Sequence, residues 1–391
     1  MAPLSDDPRP ILVVGLGLAG ALMTLALQRR GRTVMVADDG AAETSRAAAG
    51  LVSPINGPRL SRPPRTGEWL AAATALYTDA EARLGERLWY PGPIRRLFRD
   101  ADQARRWEER RAEPERALNM GPAEPPGRHP DGLDVHGSGP ILGGGRLDVA
   151  GLLAAVARER SRAGALCGPV DTARLAVADG GVDLEGESYA AAILCQGWAG
   201  ALCGPVDTAR LAVADGGVDL EGESYAAAIL CQGWAGARGP WLGAWPLEPL
   251  AGESLGLRFP AGVPAEPLHG SGWLAPTGPD SARLGATHQR EVGGEPTAAG
   301  RAELLAALPA LWSGTAEVVE HFAGTRVAVR DRAPVAGLHP GASRLAVLNG
   351  LGGKGALWGP WCAEAVAAQL VDGIPVPRAI DPDRFGGPTC A

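Results

Sequence analysis

Ile11-Leu12-Val13-Val14-Gly15-Leu16-Gly17-Leu18-Ala19-Gly20 leads into an apolar helical stretch ending near Arg30-Gly31, and the chain resumes as Thr33-Val34-Met35-Val36-Ala37-Asp38. This order of strand, glycine turn, helix and strand predicts the opening βαβ unit of a dinucleotide-binding fold. Four consecutive apolar residues suit a strand buried on both faces. Gly15 and Gly17 permit the tight turn and close approach to a pyrophosphate, and Gly20 permits close helix packing. The N-terminus of the helix then faces the phosphates. Asp38 closes the second strand roughly 20 residues further on, where a carboxylate accepts ribose hydroxyls and disfavours a 2′-phosphate.

Composition narrows the class. The 391 residues include 37 basic and 44 acidic side chains, for a net charge of −7. A chain of this length buries a large core, as one large domain or two interleaved ones. No basic run is present to neutralise a row of phosphates, so nucleic acid is not an expected partner. The first ten residues, MAPLSDDPRP, lack a basic start and an apolar core, and no apolar run approaches about 18 residues. The expectation is a cytoplasmic protein without a membrane span. The six cysteines have neither CxxC spacing nor paired histidines, which predicts buried thiols rather than a zinc site or a disulfide framework.

Residues 163–198 recur without a change as residues 199–234. Two identical copies without a third do not make a solenoid. Each copy predicts short β segments followed by an apolar strand ending in Cys-Gln-Gly-Trp. If the parent sheet has one slot for that strand, only one copy docks. Copy 2 is the expected occupant because it runs directly into Ala235-Gly236-Ala237-Arg238, leaving copy 1 as a partly exposed insertion.

The other elements follow from periodicity. Helices are predicted over 66–86, 101–119, 149–161 with Asp148 as N-cap, and 298–311. Strands are predicted at 88–90, 94–98, 272–275 and 282–287. Near the C-terminus, Leu345-Ala346-Val347-Leu348-Asn349-Gly350-Leu351-Gly352-Gly353-Lys354-Gly355-Ala356 is again strand and glycine loop, entering a helix predicted from Trp361 to about Val371. Unpaired N–H groups and a positive helix end in this loop suit an electron-rich ring such as a reduced flavin. Lys354 is the only lysine in a chain whose other basic residues are all arginine. Within a glycine loop it offers a compact charge where a guanidinium does not fit.

With these motifs in view, the chain resembles the D-amino-acid oxidase and glycine oxidase family of FAD-dependent oxidoreductases. Ser45-Arg46-Ala47-Ala48-Ala49-Gly50-Leu51 looks like that family's segment beside the flavin pyrophosphate, and Ile229-Leu230-Cys231-Gln232-Gly233-Trp234 like its returning strand. Gly324-Thr325-Arg326, continuing to Asp331, Pro334 and Gly337, is similar to the family's Gly-x-Arg-Pro-x-x-x-Asp-x-x-Pro-x-x-Gly, with Val327 in place of proline. Leu351 and Gly353 stand where the family frequently has histidine and arginine.

The resemblance implies an α/β fold in which a Rossmann-like FAD-binding domain (8–60, 140–240 and 321–391) interleaves with a smaller antiparallel-sheet substrate domain (61–139 and 241–320). It implies FAD held by Gly15, Gly17, Gly20, Asp38, Ser45, Arg46, Gly50, Gly352, Gly353, Gly355 and Ala356. Arg326 would anchor a substrate carboxylate, Lys354 would lie near the flavin, and Tyr90 and His288 are candidates to reach the pocket. The reaction implied is oxidation of the C–N bond of an amino acid or related amine by hydride transfer to flavin, which needs orientation more than a protein base. The alternatives are the oxidase half of a tRNA-modifying enzyme and a flavoprotein whose duplication has ended catalysis.

Overall fold

The computed structural model describes residues 4, 11–14, 16–37, 43–127, 134–167, 176–178, 181–184, 187–189, 191–194, 211–214, 217–220, 223–225, 228–230, 233–237, 242–290, 292–340 and 342–385. Two seven-stranded sheets dominate. The first runs Val335–His339, Ala342–Asn349, Ala228–Leu230, Ala191–Leu194, Ile11–Val14, Val34–Ala37, Leu166–Cys167, and all its pairings are parallel except the first hairpin. Ile11, Val13, Val34 and Val36 have no exposed surface, as expected of strands covered on both faces. The second sheet runs Glu317–Val329, Leu247–Arg258, Ser281–Gly285, Trp273–Pro276, Leu268–His269, Ile94–Leu97, Ser138–Ile141. It is antiparallel apart from the pairing of Leu268–His269 with Ile94–Leu97. The strand Glu317–Val329 lies wholly in this sheet, so the return to the first sheet comes after 329 rather than at 321.

Both repeat copies enter the first sheet, which corrects the expectation of a single slot. Ala191–Leu194 of copy 1 pairs with Ile11–Val14, and Ala228–Leu230 of copy 2 pairs with copy 1 on one side and Ala342–Asn349 on the other. The copies align in register, with Ile193 opposite Ile229. A parallel ladder has evenly spaced bonds, so a strand that accepts a neighbour on each edge also accepts a duplicate of itself. Each copy also forms an antiparallel meander, Ala176–Ala178 to Glu187–Tyr189 and Leu211–Ala214 to Glu223–Tyr225. Copy 1 is therefore not a loose insertion.

The C-terminal helix Gly355–Asp372 packs on both Leu18–Arg29 and Thr66–Leu84 within one large apolar core. Trp69 meets Trp358 edge to face at 5.4 Å. The helix begins at Gly355 rather than Trp361, although Pro360 lies inside it. Proline has no N–H to give the carbonyl four residues back. The fully buried Tyr77 hydroxyl donates to that carbonyl, on Ala356, at 2.6 Å. The helix predicted over 101–119 ends at Arg111, and a short helix, Pro114–Ala117, follows with its proline in the first turn. No helix among the described residues is long and apolar enough to cross a membrane.

Candidate active site

A cavity of about 340 Å³ runs between the two sheets and reaches both glycine loops. Gly17, Leu18 and Ala19 line it, with Gly17 the N-cap of Leu18–Arg29. The first turn carries no acidic residue, so the positive end of the helix stays uncompensated by a side chain there. Ser45 Oγ accepts the Leu18 N–H at 3.0 Å, tying the segment 44–51 to this helix. Ser254 Oγ in the second sheet donates to Ala47 O at 2.9 Å from the other side. Gly50 adopts φ +67°, and a Cβ there would meet Leu147 O at 1.9 Å, so the chain turns closely into the cavity wall only with glycine.

Ala342–Asn349 and the loop after it build the adjoining wall, which meets the first helix where a Cβ on Gly355 would lie 3.1 Å from Leu18 Cδ2. Asn349 is buried, donates through Nδ2 to Gly233 O at 3.0 Å and accepts from Gly350 N–H at 2.7 Å. These bonds join the returning segment of copy 2 to the second glycine loop, and Gly233 and Trp234 line the cavity. Gly352, Gly353, Lys354, Gly355 and Ala356 line it as well. Lys354 Nζ sits 5.4 Å from the Trp358 ring centroid, and burial together with the Arg332 cation lowers its pKa. The helix Gly355–Asp372 starts here, again without an acid in its first turn.

Arg326 projects from Glu317–Val329 toward the same loop. A Cβ on Gly252 would lie 2.8 Å from its Nη2 and one on Gly353 3.2 Å from its Nη1, so the guanidinium fits between two glycines. His288 Nδ1 is 3.3 Å from Nη2. Burial, then Arg326, lowers the His288 pKa, which favours a neutral ring that accepts from the guanidinium. Among the described residues Arg326 has no carboxylate partner, whereas Glu253, the one acid lining the cavity, is taken up by His321 at 2.7 Å and by Thr297.

The cavity thus gathers Gly17, Ser45, Gly50, Gly352, Gly353, Gly355, Ala356, Arg326 and Lys354, with His288 against Arg326. Gly20 is buried inside the helix and serves packing. Arg46 is exposed and outside the lining, because it closes the short helix Glu43–Arg46 whose other face packs inward, and so it is dropped from the expected site. Tyr90 also lies outside, flanked by the Arg87 and Arg146 guanidinium groups at 5.2 and 4.5 Å. Gly15 and Asp38 fall outside the described residues. Sequence reading missed Asn349, Glu253, Trp273 and His269, which lie on strands of ordinary composition and reach the cavity only through sheet pairing.

Two helix N-termini lining one cavity, two cations and a largely apolar wall suit an anionic cofactor with a planar ring, and FAD meets each of these requirements. Fold and site together define a flavin-dependent oxidoreductase. The family model for FAD-dependent oxidoreductases designated DAO matches residues 10–214 and 205–369, and the chain belongs to that family. It is 30% identical over 98% of its length to the tRNA 5-methylaminomethyl-2-thiouridine biosynthesis bifunctional protein MnmC of Maricaulis maris, of which it spans 56%. Against the Caulobacter protein of the same name, identity is 36% over 36% of this chain and 25% of that one. In fold it is similar to glycine oxidase from Geobacillus kaustophilus (TM-score 0.69, 20% identity, 98% of this chain and 99% of that one). It is also similar to iminodiacetate oxidase from Chelativorans sp. (TM-score 0.67, 20% identity, 94% and 96%).

Proposed function

We propose that the protein oxidises the C–N bond of an amino acid or related amine whose carboxylate is held by Arg326. One observation carries this reading: a partly buried guanidinium, without a carboxylate partner among the described residues, shares one cavity with both glycine loops. A guanidinium fork fits a carboxylate bidentately, and the cavity walls hold the adjoining carbon in a fixed place. FAD, when bound, supplies the two-electron acceptor. In this reading Gly17, Ser45 and Gly50, with Gly15 and Asp38, cradle its pyrophosphate and ribose, and the loop 352–356 receives the ring. A cytoplasmic location belongs to the same proposal; the buried free thiol of Cys362 accords with it.

The test is flavin bleaching without oxygen across a panel of amino acids and N-substituted amino acids, repeated with Arg326→Leu. Each charge-assisted hydrogen bond lost costs about 1.5–3 kcal/mol, so KM should rise roughly 10- to 100-fold or more for carboxylate substrates. Wild-type kinetics in the variant on every such substrate would remove Arg326 from the role. A second reading, in which the amine is carried on a modified uridine of tRNA, is favoured by the likeness to the Maricaulis protein over nearly the whole chain. Bleaching by bulk tRNA and not by any free amino acid would select it.

A further inference from the structure

Trp273 and Arg326 belong to different strands of the second sheet, Trp273–Pro276 and Glu317–Val329, with Leu247–Arg258 and Ser281–Gly285 between them. Their side chains lean toward each other across that gap. Leu250 lies opposite Arg326, Ser254 opposite Gly285, and Gly285 opposite Trp273. Directly opposed residues share a face of the sheet, as do alternate residues along one strand. Arg326, Gly252, Ser254, Gly285 and Trp273 therefore stand on one face, and all but Gly285 line the cavity. A Cβ on Gly252 would lie 2.8 Å from Arg326 Nη2, and one on Gly285 only 2.3 Å from Trp273 Cζ2. The guanidinium thus covers the strand next to its own, and so does the indole, which brings the two groups over neighbouring strands. Gly252 and Gly285 are two residues along and one strand across from each other, roughly 7 Å and roughly 5 Å. One amino acid that bears a single ring spans that gap.

The indole has no other occupation. Trp69, Trp107, Trp245 and Trp358 each pack on another ring, whereas Trp273 has no ring, cation or hydrogen-bonded partner among the described residues. The lining at this end, Ile94, His269 and Trp273, is uncharged. His269 lies opposite Trp273, and burial, then the Arg96 cation, pushes its pKa down to about 3, so the ring is neutral under ordinary conditions. Glu253 alternates with Gly252 and Ser254, so its side chain leaves the other face of the strand, where His321 and Thr297 hold it. A cationic substituent on the substrate finds no counter-ion here. A planar uncharged ring finds an indole to pack against, face to face or edge to face.

We propose that Trp273 determines specificity, and that the substrate is a carboxylated amine bearing a planar uncharged ring, with its carboxylate at Arg326 and its ring against the indole. This rests on the reading of Arg326 as the carboxylate anchor. A ring on the amine nitrogen accords with an amine carried on a uridine, and a ring on the α-carbon with a free aromatic amino acid. The contact with Trp273 is the same in both.

The experiment titrates FAD-loaded enzyme with redox-inert acids, followed by the flavin difference spectrum. (Benzyloxy)acetate places the ring where a substituent of the nitrogen stands, and 3-phenylpropionate where an amino-acid side chain stands. Methoxyacetate and propionate are the ringless controls, and the two cyclohexyl analogues supply a ring that is not planar. The wild type should bind the better aryl acid roughly tenfold or more tightly than its ringless control, and several-fold more tightly than its cyclohexyl analogue. Whichever aryl acid binds more tightly identifies where the ring is attached. Trp273→Leu should abolish the preference for aryl over cyclohexyl, and Trp273→Phe should keep part of it. Equal wild-type binding of aryl and ringless acids, or of aryl and cyclohexyl acids, overturns the proposal without any variant, as does an undiminished preference in Trp273→Leu. If the ringless acids bind the wild type and weaken in Arg326→Leu, the carboxylate anchor stands whatever the outcome at Trp273. Failure of every acid to perturb the flavin overturns both.

Discussion

Two glycines, 252 and 353, leave space for the Arg326 guanidinium, and His288 is the only hydrogen-bonding side chain against it among the described residues. Arg326 stood out as a candidate in the local run Gly324-Thr325-Arg326, but its surroundings were not legible there, because Gly252 and His288 are far away in the chain. Lys354 shows the same division. Its place in a glycine loop is visible in the sequence, whereas the lining of the cavity around it depends on strands from both sheets. A positive charge about 4 Å from a reduced ring is worth up to about 4 kcal/mol at an effective dielectric of about 20. Lys354→Met should therefore shift the flavin midpoint potential to more negative values, as measured by dye-coupled reduction. Since the folded pKa of Lys354 lies below its ordinary 10.5, the difference between wild type and variant should shrink with rising pH before 10.5 is reached. An equal potential in both proteins at neutral pH would place the ammonium away from the ring. Asp38→Ala should weaken FAD by about 1.5–3 kcal/mol in a titration of apoprotein, the value of a charge-assisted hydrogen bond.

At the scale of the element, Gly355–Asp372 carries the second loop and tolerates an internal proline because another helix supplies the missing donor. Tyr77→Phe leaves the Ala356 carbonyl unsatisfied in a buried setting, at a cost of about 1–3 kcal/mol. Pro360→Ala restores the backbone N–H, so Tyr77→Phe should cost less in that background, and denaturant melts of the two single variants and the double variant measure the difference. Strict additivity would show that the tyrosine and the proline are not coupled. The sequence marked strand, loop and helix here but delayed the helix to Trp361, since a proline reads as a boundary unless something distant replaces its hydrogen bond. Tyr77 is that distant group, on the helix Thr66–Leu84, and nothing in the sequence near Pro360 points to it. Charge joins the same elements at the surface, where Arg29 and Arg30 at the end of the first helix bind Glu364, and Arg30 also binds Asp372.

Across the whole molecule, the duplicated segment adds one strand between Ile11–Val14 and Ala342–Asn349, the two strands that lead into the glycine loops. Deleting residues 163–198 regenerates the same junctions, and the remaining copy presents identical edges to both neighbours, bringing those strands about 4.8 Å closer. The shortened protein should fold and bind FAD, with melting and flavin absorbance as the readouts. Loss of either would mean that the seven-strand spacing is required. Acid should also weaken the fold. The folded pKa of His269, at about 3, lies below its ordinary 6.5, so the contribution of the neutral ring is complete above 6.5 and declines as pH falls from there toward 3. His269→Leu should flatten that part of the pH–stability profile. The amino-acid sequence by itself determined the βαβ opening, the family and most helices, because glycine spacing, apolar periodicity and capping residues act within a few residues of one another. Tertiary structure alone decided the docking of both repeat copies, the exclusion of Arg46 and Tyr90 from the cavity and the pairing of Arg96 with His269, because strand neighbours and buried charge environments arise from segments the sequence keeps apart.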